Sequence, residues 1–355
     1  MIVTIELPDT AEGAYRLTEL RSGKVLCDNG KDFSAAKLRK GFLWKIPANE
    51  SMVIQITGSK DGKTDGIDQK DMEKELESFR KLNASDSLRP CRKGNASVDW
   101  GVTDGDNQVV IMLNCGNTKL GVKAYEGYPV MWKADGGSDR LGTSKKRGLI
   151  GDLVLEPTET EKGAFQPVKF EITAKGEPKV TLSRRINEIS VSGGIPNVHG
   201  GLTLKREITL TGNGNVCLVR HQLINTGKKV LKFEFRERNF PMLFVKPDKI
   251  EVDCGSAVIE PGIPVNNVLL LPGSKRKFYH DWKVQTGTFS PVLKYSAKEG
   301  SLKRVMSISP GYKFDAVYIW GDQLNGKKGT VEPLALPVTL KPGEMLDTVS
   351  RFELK

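Results

Sequence analysis

From about residue 96 onward the chain is a succession of short segments in which apolar and polar residues alternate, each closed by Gly, Asn, Asp or Pro. QVVIMLN, KFEIT, LTLKREITLTG, VCLVRHQLIN, VLKFEFRE and AVYIWG all have the two-residue period of half-buried strands, not the ~3.6-residue period of a helix. Gly212-Asn213-Gly214-Asn215 and Asn225-Thr226-Gly227 supply turns between them. Every such strand must bury one face, and two long antiparallel sheets packed face to face are the simplest way to do it. A length of 355 residues leaves room for one large domain and one small one.

The segment 1–57 reads as a small β subdomain, with GAYRLTEL, KVLCDNG and SMVIQIT as strands and Ser22-Gly23 and Asn29-Gly30 as turns. Residues 58–95 differ: GSKDGKTDGIDQKD is a charged loop, followed by a linker helix with Met72, Leu76, Phe79 and Leu82 on one face. The loop has the outline of a calcium site, but Lys63 and Met72 stand where oxygen ligands are required, so no metal is expected. The expected fold is all-β: a large antiparallel two-sheet sandwich over 96–355, a small N-terminal β subdomain and one linker helix.

With 38% hydrophobic and 27% charged residues, the composition is that of a globular protein. The formal charge of +11 raises the question of nucleic acid. Lys and Arg are scattered, however, in clusters no longer than Lys145-Lys146-Arg147 and Lys275-Arg276-Lys277, and no zinc-finger, RNA-binding or basic-zipper pattern is present. Nucleic acid is therefore not expected as a partner, while an acidic polysaccharide would suit a basic surface equally well. The five cysteines are far apart and form no CxxC pair, which argues against a disulfide framework or a zinc site; no cofactor is expected. No run has the apolar length of a membrane span, and Met1–Pro8 does not read as a leader. The compartment is not legible: periplasmic or extracellular if a leader has been removed, otherwise cytoplasmic. Oligomeric state is not legible.

Three stretches of 96–355 resemble the galactose mutarotase-like supersandwich, the superfamily of the aldose 1-epimerases. VCLVRHQLINTGKKVLKFEFRERNF places Asn225-Thr226-Gly227 between two strands as that family does. VYIWGDQLNGKKGTVEPLALPVTLKPGEMLDTVSRFEL places Glu332 near a strand start, ahead of the turn Leu340-Lys341-Pro342-Gly343-Glu344 and a final strand. WKADGGSDRLGTSKKRGLIGDLV resembles the glycine-rich segment that lines the family's cleft. Separately, residues 1–57 resemble the small β-sandwich found at the C-terminal end of many glycoside hydrolases.

The resemblance implies a chemistry. A mutarotase takes the anomeric hydroxyl proton with a carboxylate and protonates the ring oxygen with an acid on the other side of the sugar. Glu332 matches the family's base, and His199, in His199-Gly200-Gly201, resembles its first histidine. Where the family has a second histidine, this chain has Arg236, Glu237 and Arg238. Arginine keeps its proton at any workable pH, so Arg236 and Arg238 are expected to hold sugar hydroxyls or a carboxylate instead. His280, Trp282 and Trp320 offer aromatic surface for stacking on a pyranose. His221, with its strand neighbours Cys217, Val219 and Leu223, reads as a core or cleft-wall residue, and Trp132 as packing or stacking surface. The partner implied is a mono- or oligosaccharide, acidic sugars included. The expected function is carbohydrate binding with an epimerase-like activity, and two alternatives stay open: a non-catalytic accessory module of a polysaccharide-degrading system, or a polysaccharide lyase or glycoside hydrolase.

Overall fold

The computed structural model describes residues 2–19, 25–45, 54–59, 67–69, 86–103, 109–134, 137–141, 149–156, 165–186, 191–192, 195–196, 198–244, 247–260, 266–276, 283–321 and 329–355. The expected linker helix lies outside them. The chain divides into two compact units, Met1–Arg89 and Pro90–Lys355.

In the first unit, Ala14–Glu19 pairs with Val25–Cys27, Phe33–Ser34 and Ile54–Ser59, and Val25–Cys27 pairs in parallel with Ile67–Asp68. Strands Ile2–Ile5 and Phe42–Lys45 form a separate ribbon. Between them stands a helix that the strand pattern does not announce, Ala35–Lys40, started by Ser34, whose hydroxyl accepts the Lys37 N–H. Leu38 joins Leu17, Leu26, Phe33 and Phe42 in the core. The buried Gln69 amide binds both the N–H and the C=O of Leu43.

The second unit is the expected β-sandwich. One layer is a nine-stranded sheet in the order Gln166–Ile172, Pro178–Arg185, Leu202–Thr211, Val216–Asn225, Met345–Leu354, Leu302–Ser309, Phe289–Glu299, Lys249–Gly255 and Val258–Ile259. The other is a seven-stranded sheet running Leu149–Glu156, Leu231–Phe240, Glu332–Ala335, Phe314–Trp320, Asn266–Leu270 and Lys283–Thr286, with Val338–Leu340 also on Leu231–Phe240. All pairings are antiparallel except that of the last two strands named in the order. The two sheets meet face to face: Ser350 Oγ of one donates to Glu237 Oε2 of the other at 2.5 Å. A further five-stranded sheet spans 91–133, and its Trp132 is wholly buried, with the indole N–H on the Gly214 carbonyl at 3.0 Å.

Candidate functional site

The Leu231–Phe240 strand sorts its side chains by parity. Phe233, Phe235, Glu237 and Asn239 are buried between the sheets, while Glu234, Arg236 and Arg238 stand on the outward, half-exposed face. Register then decides what surrounds them. Asp152 lies opposite Arg238, Glu156 opposite Glu234, Leu334 opposite Arg236, and Glu332 opposite Tyr318. A bulge at Leu149–Asp152 sets this register, and Gly151 turns it with φ +63°, where a Cβ would come within 3.1–3.3 Å of Val219.

The outward face is a network of ion pairs. Arg236 Nη1 donates to Glu332 Oε2 at 2.7 Å, and its Nε lies 3.2 Å from Glu156 Oε1. Arg238 places Nη2 and Nε at 2.6 and 3.1 Å from Asp152 Oδ2. Arg276 binds Glu234, Asp315 Oδ1 at 2.6 Å and the Ala335 carbonyl at 2.6 Å. Every one of these guanidinium groups is therefore occupied by protein carboxylates. Beside them the Tyr318 ring centroid is 5.8 Å from the Arg236 guanidinium carbon. Burial raises the Glu332 carboxyl above the ordinary carboxylate range, against the opposing pull of Arg236, and burial raises Glu156 likewise. Desolvation pushes the Tyr128 and Tyr318 hydroxyls up to about 12, so both are proton-bearing donors at neutral pH.

A buried polar layer backs this face. Asn239 accepts the Gly151 N–H at 2.8 Å and donates to the Val331 carbonyl at 3.2 Å, so it touches the residue before Asp152 and the residue before Glu332. Glu237 accepts from Ser350 and lies 3.4 Å from the Asn239 amide nitrogen.

Of the residues singled out in the sequence, Glu332, Arg236 and Arg238 come together here. Trp320 stands two residues beyond Tyr318 on the same strand, 43% exposed. His199 goes elsewhere: it is 1% exposed and meets Phe233 edge-on at 6.2 Å between ring centroids. Phe233 points inward, so His199 stands behind the sheet, and burial lowers its pKa. His221 and Trp132 are buried as well, and His280 and Trp282 lie outside the described residues. The sequence reading passed over Asp152, Glu156, Tyr128 and Tyr318. Alternation in LIGDLVLE places Asp152 and Glu156 on one face, but only the register shows which strand that face joins. Among the described residues no group of His, Cys, Asp and Glu is arranged to hold a metal ion.

No protein-family model and no curated protein matches the sequence. Solved structures do. A galactose mutarotase-like protein from Clostridium acetobutylicum superposes with a TM-score of 0.50 at 8% identity, over 74% of this chain and 99% of that one. A galactose mutarotase-like protein from Lactobacillus casei gives 0.43 at 11% identity, over 73% and 100%. A GH36 α-galactosidase from Geobacillus stearothermophilus, solved with stachyose, gives 0.41 at 14% identity, over 75% of this chain and 40% of that one. At such identities the likeness carries the fold alone, which is that of the galactose mutarotase-like sandwich.

Proposed function

We propose that the outward face of the seven-stranded sheet binds a carbohydrate and that Glu332 serves there as a general base in an epimerase-like proton transfer at the anomeric centre. The observation that carries this reading is the convergence of a buried carboxylate of raised pKa with two arginines and with exposed aromatic surface on one sheet face. A carboxylate base needs its pKa brought toward the working pH, and burial of Glu332 does this while Arg236 fixes its orientation. In the proposed step the base takes the proton of the anomeric hydroxyl. The C1–O5 ring bond breaks as O5 gains a proton, and reclosure on the other face gives the second anomer. Tyr128 and Tyr318 are the hydroxyl donors this face offers for ring-oxygen protonation, and Trp320 is available for stacking on the sugar's apolar side. Because the guanidinium groups already hold carboxylates, neutral sugars suit the face better than uronates.

The test is thermal unfolding against neutral sugars, uronic acids and oligosaccharides, followed by polarimetry of any ligand found. A ligand at a hundred times its dissociation constant stabilises by about 2.7 kcal/mol. Glu332→Gln is expected to retain binding and to lose anomer interconversion by about 100-fold or more. Unchanged interconversion in that variant would refute the base assignment. A second reading, a non-catalytic binding module, is favoured by one observation: the two histidines among the described residues, His199 and His221, are both buried away from the outward face. Binding without interconversion in the unaltered protein would establish it.

A further inference from the structure

The outer surface of the nine-stranded sheet, on the far side of the sandwich from Glu332, carries a second organised feature. On it, side chains rise in rows two residues apart, and register fixes their order. Arg351 stands opposite Ser309; two residues on, Lys294 lies in line with Ser307 and Glu353; next, Lys355 pairs with Val305; and in the last row Lys249, Lys298 and Lys303 sit directly opposite one another on three adjacent strands. At ~3.3 Å per residue the track from Arg351 to the lysine row is about 20 Å long. Its first part is a trough of about 360 Å³ lined by Val292, Lys294, Ser307, Ser309, Arg351, Glu353 and Lys355.

Charge balance on this track is one-sided. The carboxylates of the same rows are Glu251, Asp253, Glu260 and Glu353, against the six cations Lys249, Lys294, Lys298, Lys303, Arg351 and Lys355. Lys294 reaches Asp253 at 3.5 Å, Arg351 and Lys355 reach Glu353 at 3.2 and 3.9 Å, and Lys249 is drawn to Glu251 and to Glu260 at its own edge. Like charges directly across a sheet repel, and one carboxylate of the adjoining row, Glu251, is drawn to all three lysines at once. Lys298 and Lys303 are both exposed.

We propose that this face is a docking surface for an acidic polysaccharide, separate from the Glu332 face and independent of the function assigned to it. An extended polyanion lying along the rows would neutralise the lysine row and cross the trough, where the Ser307 and Ser309 hydroxyls can bind sugar hydroxyls. Nucleic acid fits less well. Among the described residues this sheet surface carries no projecting helix to enter a major groove. None of the described side chains lining the trough or the lysine row is aromatic, which leaves no platform for stacking single-stranded bases.

The experiment is titration of the full chain with oligogalacturonate at low salt, with duplex DNA and anionic phosphatidylserine vesicles in parallel. Binding of the oligogalacturonate is expected, weakening as salt rises. The double variant Lys298→Glu with Lys303→Glu, two exposed sites whose change leaves the core untouched, is expected to bind at least about tenfold more weakly. Glu332→Gln should bind the oligomer as the unaltered chain does. Equal affinity in the double variant, no binding at low salt, or tighter binding of DNA or vesicles would each overturn the proposal.

Discussion

Glu237 has no solvent exposure and sits on the same strand as two arginines that face the other way. Burial raises its carboxyl to about 7, against the opposing effects of the Ser350 and Asn239 hydrogen bonds and of Arg206. In an unfolded chain the same group titrates at about 4.3. Between these values the folded protein holds a proton that the unfolded chain has released, so this group's contribution to stability falls as pH rises from about 4.5 to about 7. Other groups around it carry charge or protons of their own: Arg206 and Cys217 from the nine-stranded sheet, Tyr312, and Asp152 beyond the strand. Burial and Arg206 lower the His221 pKa, so the unfolded chain takes up that proton more readily and the histidine's contribution to stability rises with pH, opposite in sign to that of Glu237. Glu237→Gln keeps an acceptor for the Ser350 hydroxyl and removes the titration. Relative to the parent, the variant is expected to gain roughly 1–3 kcal/mol near pH 8 and less near pH 5, so the variant-minus-parent difference grows between pH 5 and pH 7, as measured by urea unfolding of both chains across pH. A variant-minus-parent difference that stays constant over that interval would show that Glu237 ionises freely in the fold.

At the scale of the strand, Asn239 closes two joints. Its side chain satisfies the Gly151 N–H and the Val331 carbonyl, and its backbone carbonyl accepts the Val331 N–H at 2.9 Å. Replacing it with Ala leaves a buried donor and a buried acceptor unpaired, and each such loss costs about 1–3 kcal/mol. Asn239→Ala is therefore expected to destabilise by roughly 2–4 kcal/mol in chemical unfolding. A loss below about 0.5 kcal/mol would mean that water or backbone movement replaces both bonds. Strands of this kind were legible from the alternation in LKFEFRERNF and VCLVRHQLIN, and so was the two-sheet sandwich they require. The partners of Arg236 and Arg238 were not. Asp152 and Glu332 lie 86 and 96 residues from the arginines they bind, and only strand order and a one-residue bulge at Gly151 bring them into line. The place of His199 was not legible for a related reason: a histidine followed by two glycines reads as a loop residue free to reach a cleft, whereas the loop folds it against Phe233. The short helix Ala35–Lys40 escaped notice because its signal is one N-cap serine and six residues, below the length at which periodicity registers.

For the whole molecule, the formal charge of +11 is not spread evenly over the two sheet surfaces. On the seven-stranded sheet the arginines are each met by carboxylates, and the Asp152, Glu156, Glu234, Glu332 and Asp315 side chains outnumber Arg236, Arg238 and Arg276. On the nine-stranded sheet the lysine row is left in excess. A neutral sugar exchanging hydrogen bonds at the first face changes no net charge, so long-range screening has little to act on. A polyanion on the second face depends on that screening, since the Debye length shrinks from about 20 Å to about 6 Å between ~20 mM and ~300 mM salt. Raising salt over this interval is accordingly expected to leave the affinity for a neutral sugar within about twofold while weakening oligogalacturonate by about tenfold or more, both read by calorimetry on the same preparation. The Lys298→Glu, Lys303→Glu chain should lose most of the second dependence and keep the first result unchanged. If both ligands weakened together, and if the oligomer displaced the neutral sugar, a single site would be serving both and the division of the molecule into two faces would fall.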